Sequence, residues 1–299
     1  MKTSAVIASL LETFARDGRL IYVDCGARKG KLPPPFRRVS GVEYVGVEAD
    51  AEECGRLNAS ARPGHRYVQA VLDRAADTRT FRVTRNPASA SLLEPNHGFL
   101  SQFLELRDSF VVEREVAVTT IPLDRCLADH DIPRADFLEL DVQGSELDVL
   151  MGAERTLGTT LGVQAEVEFA PMYVGQPLFA DVDAFLRARG FQLFDLSRYH
   201  ARRTALDPVT ATRGQLLWGH AVYLREDGAL DPPMSARLAV LAGLLDFPDL
   251  AGAILTRLAT SAGSREERRA AERARDVLTI SRDEGLATPA SRDRAVWRD

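Results

Sequence analysis

The sequence predicts an α/β fold in which helices wind on both sides of an open, mostly parallel sheet, with an antiparallel edge and a helical C-terminal extension. Three observations point there. Up to Arg225, short apolar runs with strand-like character alternate with stretches of helical periodicity. Two of those runs close on an acid beside a glycine turn, in "IYVDCGARKG" and "LELDVQGSELDVL". After Arg225 the strand-like runs give way to two apolar helices and a charged one, with no internal repeat.

Taken in order, the elements begin with a helix from about Ser4 to Arg16. Its apolar positions Val6, Ile7, Leu10, Leu11 and Phe14 share one face, and Gly18 follows as a cap. Glu12, Arg16 and Asp17 interrupt this stretch and no small-residue cleavage site follows, so it reads as a helix rather than a secretion signal. A buried strand, Leu20 to Asp24, leads into the proline loop "GKLPPPF". "YVGVEAD", Tyr44 to Asp50, is a second strand, and Asp50 is placed to cap the helix "AEECGRLNA". A third strand spans Arg66 to Leu72, and the alternating "TFRVTR" is expected to pair with it as a hairpin.

Asn86 to Phe99 is a loop rich in Pro, Ser and Asn, followed by the strand-like "FVVEREVAVTTI" and the short helix "LDRCLADH". The strand Asp136 to Asp141 precedes the helix "SELDVLMGAERTL", whose Leu147, Leu150 and Met151 share a face. "LGVQAEVEF" is a strand and "FADVDAFLRARG" a helix. "FQLFDLS" and "QLLWGHAVYLR" close the set with no helical pattern between them, which is the signature of an antiparallel edge. The division expected is a domain over residues 1–227 and a helical extension over 228–299. Two apolar helices of the extension either pack on the first domain or join two copies as a homo-oligomer. "SREERRAAERARDVL" reads as a solvated charged helix.

Composition narrows the classes. With 45% hydrophobic and 27% charged residues the chain is ordinary for a globular protein. A net charge of −5 and a pI near 5.7 argue against a nucleic-acid binder. Cys25, Cys54 and Cys126 form no CxxC pair, so neither a disulfide framework nor a cysteine zinc site is expected, and a cytoplasmic setting fits. No apolar run is long enough for a membrane span.

Ligands of open parallel sheets bind outside the carboxyl ends of the strands, where the strand order reverses. "VDCGARKG" sits at such an end. Gly26 permits a tight turn and a close backbone approach, Gly30 a second one, and Glu48 ends the next strand where an acid accepts ribose hydroxyls. The loop is not GxGxxG. It also fails the phosphate-loop pattern, being one residue short between its glycines with Leu32 in the Ser/Thr position. The remaining pattern, strand–acid–x–G–x–x–x–G, is a methyltransferase loop.

The stretch "FLELDVQGSELDVLMGAERTL" makes that reading specific. Asp141, Val142, Gln143, Gly144, Ser145 and Glu146 resemble the D-V-E-G-A-E segment of the FkbM-type methyltransferases, which use S-adenosylmethionine (SAM). "YVDCGARKG" resembles that family's first SAM motif and "VGVEAD" its ribose-binding strand end. "ASASLLEPN" and "TTIPLDRCL" also have counterparts, in the same order, over about Leu20 to Arg225. The departures are Gln143 for a common Glu, Arg28 and Lys29 in the glycine loop, Cys25 for an aliphatic residue, and "KLPPPF" in place of a crossover helix. The resemblance implies a Rossmann-like class I methyltransferase fold and SAM as cofactor. It implies a cofactor set of Asp24, Gly26, Ala27, Gly30, Glu48, Ala49, Gln69, Ala70 and Asp141.

Methyl transfer to a hydroxyl needs in-line alignment and a base that takes the proton. Asp141, Glu166 and Glu168 are the candidates for that role; Glu166 and Glu168 share one strand face. An oxygen-ligated Mg²⁺ on Asp141 and a neighbouring acid stays open, but nothing in the sequence requires a metal. Candidate acceptor contacts are Ser91, Asn96 and His97 in the Pro/Ser/Asn loop, Glu146, and Tyr173 in "APMYVGQPLF", read as a lid. Glu146 has a second reading as a helix N-terminal charge, and His97 as an exposed loop histidine. The expected activity is O-methylation of a sugar, glycan or secondary metabolite. Its alternatives are a non-catalytic nucleoside-binding or assembly protein and an NAD-dependent oxidoreductase.

Overall fold

The computed structural model describes residues 2–15, 17–30, 32–204, 212–226, 228 and 230–279. Arg16, expected to end the first helix, the expected boundary residue Asp227, and residues 280–299 lie outside the described residues.

Helix α1 (Lys2–Phe14) precedes β1 (Leu20–Cys25), which is buried along its whole length. A four-residue helix, α2 (Pro34–Arg37), stands in the proline loop, where Pro at its first positions fits the free N–H groups of a helix start. Then come β2 (Val42–Glu48), α3 (Ala51–Ala59) and β3 (His65–Gln69). Asp50 caps α3 as expected, its side chain accepting from the amides of Glu52 and Glu53.

The expected third strand breaks after Gln69. Val71 and Leu72 form β4, which leaves the main sheet and pairs parallel with β6 (Val112–Ile121). "TFRVTR" lies in β5 (Asp77–Thr84), which pairs antiparallel with β6 and not with β3. The expected hairpin is therefore wrong: the partner of β5 comes after the intervening loop, and local alternation carries no information on pairing. A 3₁₀ turn (Pro87–Ser89) and α4 (His97–Leu100) shape that loop.

Helix α5 (Leu123–Asp129) leads to β7 (Phe137–Leu140). The expected single helix after it is two, α6 (Glu146–Met151) and α7 (Glu154–Leu157), which break at Gly152. Next come β8 (Gly162–Glu168), α8 (Phe179–Arg187), β9 (Phe191–Leu196), β10 (Tyr199–Ala201) and β11 (Gln215–Arg225). Three helices close the described chain: α9 (Pro232–Leu244), α10 (Pro248–Ser261) and α11 (Arg265–Leu278).

The main sheet runs β10-β11-β8-β7-β1-β2-β3, with β9 also on β11. β3, β2, β1, β7 and β8 are parallel, whereas β11 is antiparallel to β8 and to both β9 and β10. This is the doubly wound, mostly parallel sheet with an antiparallel edge that the sequence predicts. Among the described residues no helix is long and apolar enough to cross a membrane.

The two faces of the sheet differ. One carries Ile21, Val23, Val45, Leu138, Leu140, Val163 and Val167 against α5, α6 and α8, and is apolar throughout. The other carries Leu20, Tyr22, Tyr44, Phe137 and Leu224, and merges into one core with α1, α9, α10 and α11. Phe36 of α2 packs edge-on against Tyr22 at 5.0 Å. With only four helical residues in that crossover, the terminal helices cover the face that a longer one would take. Arg237 of α9 fixes this arrangement: its guanidinium reaches Asp17 at 2.9 Å and Asp136 at 3.7 Å, while Arg134 binds the same two acids at 2.6 and 2.9 Å.

Because α9 shares a core with the sheet, Leu238→Ala, at a fully buried position, should cost about 2–5 kcal/mol in one cooperative urea transition. A separate early transition carrying the whole effect would show that the helices fold apart from the sheet.

Candidate active site

Strand order reverses at β1, with β2 on one side and β7 on the other. There the chain makes its tightest approach. Gly26 has φ 99°, and its amide donates to the Val47 carbonyl at 2.9 Å. A Cβ at Gly26 would stand 2.0 Å from the Asp141 carbonyl oxygen, so no other residue lets the ends of β1 and β7 come this close.

Above these strand ends lies a cavity of about 310 Å³. Gly26, Glu48, Ala49, Ala70, Asp141 and Gln143 line its sheet side, while Phe81, Val83, Ala88 and Leu92 line the opposite wall. That second wall comes from the three-stranded sheet and its following loop. Glu48 is 5% exposed and accepts the Asp50 amide at 2.9 Å. Burial pushes its carboxyl up, against the pull of that amide and of Arg28.

Toward β8 the cavity borders a group of acids. Carboxylate oxygens of Asp141, Glu146 and Glu166 lie within 4.8 Å of one another. Glu146 is pushed up to about 8, by burial first and with Asp141's charge adding to it; the amides of Val142 (2.9 Å) and Gly144 (3.2 Å) oppose the rise. Burial raises Glu166 and Glu168 well above the carboxylate range. The charge of Asp141 is the next cause for Glu166, and that of Glu146 for Glu168. Among the described residues no Lys or Arg forms an ion pair with these four acids.

A second tier lies deeper on the same face. Burial raises Asp24 to about 7, with the Tyr44 hydroxyl, which donates to it, opposing the shift. Glu139 accepts from the Tyr22 hydroxyl and from Gln164 Nε2, and burial again raises it. Asp24, Glu139, Glu146 and Glu166 each accept from at least one neutral donor, whereas Glu168 keeps a buried Oε1 without a hydrogen-bond partner.

The expected residues divide into groups. Gly26, Glu48, Ala49, Ala70 and Asp141 line the cavity. Asp24 lies beneath it, and Ala27 is buried with its Cβ against Gly46. Gln69 is exposed at the rim and donates to the Ala49 carbonyl. Gly30 is not in the cavity; it packs beneath Tyr67, whose hydroxyl donates to its carbonyl. Glu146, Glu166 and Asp141 come together. Glu146 stands in the first turn of α6, as its reading as a helix N-terminal charge has it, and its carboxylate also accepts the amides of the preceding turn.

The acceptor contacts expected in the Pro/Ser/Asn loop are mostly structural. Ser91 is buried and donates to the Gln143 carbonyl at 2.7 Å. Asn96 caps α4 through the Phe99 amide and donates to the Pro171 carbonyl. His97 is exposed on α4, as its loop reading has it. Tyr173 corrects the lid expectation: it is fully buried, its one hydroxyl proton shared between the Ser89 carbonyl (3.1 Å) and Gln143 Oε1 (3.0 Å). The "APMYV" segment is tied to residues 94–96 by amides at 2.8 Å on both sides. An aromatic loop has the same sequence signal whether its ring is wet or dry.

Two residues were missed. Gln143 was read only as a departure from a pattern, yet its amide nitrogen lies 2.7 Å from both Asp141 Oδ1 and Glu166 Oε2. His220 sits opposite Glu166 in the β8–β11 register; burial lowers its pKa and the Asp141 charge raises it. Only the strand register could have placed it there.

The family model described as "Methyltransferase FkbM domain" matches residues 24–193. No curated protein matches the chain. Similar solved structures include magnesium protoporphyrin IX methyltransferase from Synechocystis PCC 6803, with bound SAM. It has 13% identity and TM-score 0.36, over 75% of this chain and 80% of that one. Precorrin-6y C5,15-methyltransferase from Geobacter metallireducens GS-15 has 10% identity and TM-score 0.38, over 74% of this chain and 88% of that one.

The raised acids set a pH dependence. An acid whose pKa is higher folded than unfolded holds its proton better when folded, so stability is lost as pH rises from the ordinary carboxylate range toward its folded value. Asp24, Glu139, Glu146, Glu166 and Glu168 all act in this sense, with Asp24 near 7 and Glu146 near 8. His65 and His220, lowered by burial, act oppositely, but only below the ordinary histidine value. Asp17, Glu53 and Glu105 are held down by arginines and matter only at lower pH. The urea midpoint should therefore fall between about pH 6.5 and about pH 8.5. A flat or rising midpoint there would contradict these protonation states.

Proposed function

Because the chain belongs to the FkbM methyltransferase family, we propose that it transfers a methyl group from SAM to a hydroxyl of a sugar, glycan or secondary metabolite. SAM is the cofactor of that family, and when bound it supplies the activated methyl carbon. The observation that carries the reading is the convergence of Glu48 and Asp141 on one cavity floored by Gly26. The residues present fit the cofactor. Gly26 leaves bare backbone where any Cβ would collide with the Asp141 carbonyl. Glu48 offers a buried carboxylate for vicinal hydroxyls, and Val47, Ala70, Leu72 and Phe81 give apolar walls for a base.

In this reading Glu48 fixes the ribose, and Asp141, half-buried at the end of β7, faces the acceptor. Its carboxylate accepts the hydroxyl proton as the oxygen attacks. Glu166, raised by burial and by the charge of Asp141, stands beside it as a carboxyl that holds its own proton, so Asp141 is the acid left to take the one from the acceptor. Phe81, Val83 and Leu92 exclude water from one side of the cavity. The acids at this end of the cavity support a neutral, hydroxyl-bearing acceptor, since an anionic one would meet Asp141, with which no Lys or Arg among the described residues pairs.

S-adenosylhomocysteine titrated in a calorimeter tests the cofactor site. Glu48→Ala should weaken binding about tenfold or more, the effect of losing hydrogen bonds to a charged group. Absence of binding by folded wild-type protein would sink the reading. Once an acceptor is in hand, Asp141→Asn should slow transfer by about 10²–10⁴-fold with much less effect on S-adenosylhomocysteine affinity. Equal losses in both would assign Asp141 to holding the cofactor.

A further inference from the structure

Gln143 has the most constrained environment in the site. Its backbone is left-handed, with φ 59°, a conformation that side chains other than glycine adopt at a cost. Ser91 Oγ donates to its carbonyl at 2.7 Å and itself accepts the Leu93 amide at 2.9 Å. Tyr173, fully buried with Phe110 edge-on against it at 5.6 Å, donates to Gln143 Oε1. With the amide oxygen engaged there, the nitrogen is turned to Asp141 Oδ1 and Glu166 Oε2, 2.7 Å from each. The two N–H groups of the amide thus face one carboxyl oxygen of each acid, and its oxygen faces the Tyr173 hydroxyl.

The oxygens of Asp141, Glu146 and Glu166 are spaced as ligands of a hard divalent cation are, yet the atom between two of them is a nitrogen carrying two protons. We propose that Gln143 is a positioning residue that fills the place of a divalent cation between Asp141 and Glu166. Its two N–H groups hold one oxygen of each acid and leave Asp141 Oδ2 outside the bridge, on a residue that lines the cavity. The amide supplies partial positive charge without ligand exchange, so the pair stays bridged whether or not metal is present. The proposal rests on the methyltransferase reading only for the name of the acceptor step; the bridge itself is a property of the fold.

The probe is Mn²⁺ alone, followed by electron paramagnetic resonance on the full chain. Gln143→Glu replaces the bridging donor with a further oxygen ligand, and Gln143→Ala vacates the position. Gln143→Met keeps the length without donor or space, and serves as the control for indirect effects. Wild type and Gln143→Met are expected to bind Mn²⁺ at least about tenfold more weakly than Gln143→Glu and Gln143→Ala. A residue that merely braces the turn would alter stability in all three variants without changing Mn²⁺ affinity. Wild-type protein that binds Mn²⁺ as tightly as Gln143→Glu and Gln143→Ala, or folded Gln143→Glu and Gln143→Ala that gain none, overturns the assignment. S-adenosylhomocysteine titrated into the same samples separates the two readings. Failure of wild type to bind it, with Mn²⁺ gained on substitution, would remove the methyltransferase reading and leave the bridge standing.

Discussion

Five carboxylates gathered at the strand ends of a parallel sheet are kept hydrogen-bonded in a place where water is scarce, and much of the architecture answers that constraint. Tyr44 serves Asp24, Tyr22 and Gln164 serve Glu139, and the turn amides of Val142 and Gly144 serve Glu146. Gln143 serves Asp141 and Glu166 together. The donors are nearly all neutral. An arginine among them would hold the acids ionised and paired, ending their use as proton acceptors. Neutral donors keep them in place while burial raises Asp24, Glu139, Glu146 and Glu166 above the ordinary carboxylate range.

The close contact of Gly26 with Asp141 makes this grouping into a site. It draws the ends of β1 and β7 together and so brings Glu48 and Asp141 onto one cavity. The positive φ of Gln143 and Gly144 then turns the chain back under Ser91 and Tyr173. Any side chain at Gly144 would press on the Tyr173 ring at 2.9 Å. The strain at Gln143 is thus held by neighbours that have no other evident duty, as expected where a geometry matters to function.

What was legible in the sequence follows from how local each signal is. Gly26, Glu48, Asp141 and Gly144 stand at strand ends, where period and turn chemistry meet within a few residues, and the parallel order of strands follows from the alternation with helices. Pairing that depends on distant segments was not legible. β5 found β6 rather than β3, and His220 reached Glu166 only through the antiparallel register of β11 with β8. Tyr173 was misplaced for a different reason: its loop composition is that of a lid, and only burial distinguishes a lid from a brace. Gln143 looked like a loss of charge from a familiar motif, and its bridging role needs coordinates for Asp141, Glu166 and Tyr173 at once.

The departure "KLPPPF" and the C-terminal helices belong to one account. Prolines limit the first crossover to the four residues of α2, which cover little more than Tyr22 and Phe137. The rest of that face would lie open, with Leu20, Tyr44 and Leu224 exposed. α1, α9, α10 and α11 close it, and the ion pairs of Arg237 with Asp17 and Asp136 register α9 at the edge opposite the site. Apolar helices therefore pack on the lower half of a face whose upper half is acidic. The boundary between the halves runs through Tyr22 and Tyr44, whose rings lie in the core and whose hydroxyls reach Glu139 and Asp24. A tyrosine can bridge such a boundary because one end is apolar and the other donates a hydrogen bond. Phenylalanine at Tyr44 would fill the same volume and strand Asp24 beneath the cavity, and at Tyr22 it would leave Glu139 only Gln164, so these two hydroxyls tie the packing of the C-terminal helices to the protonation of the site.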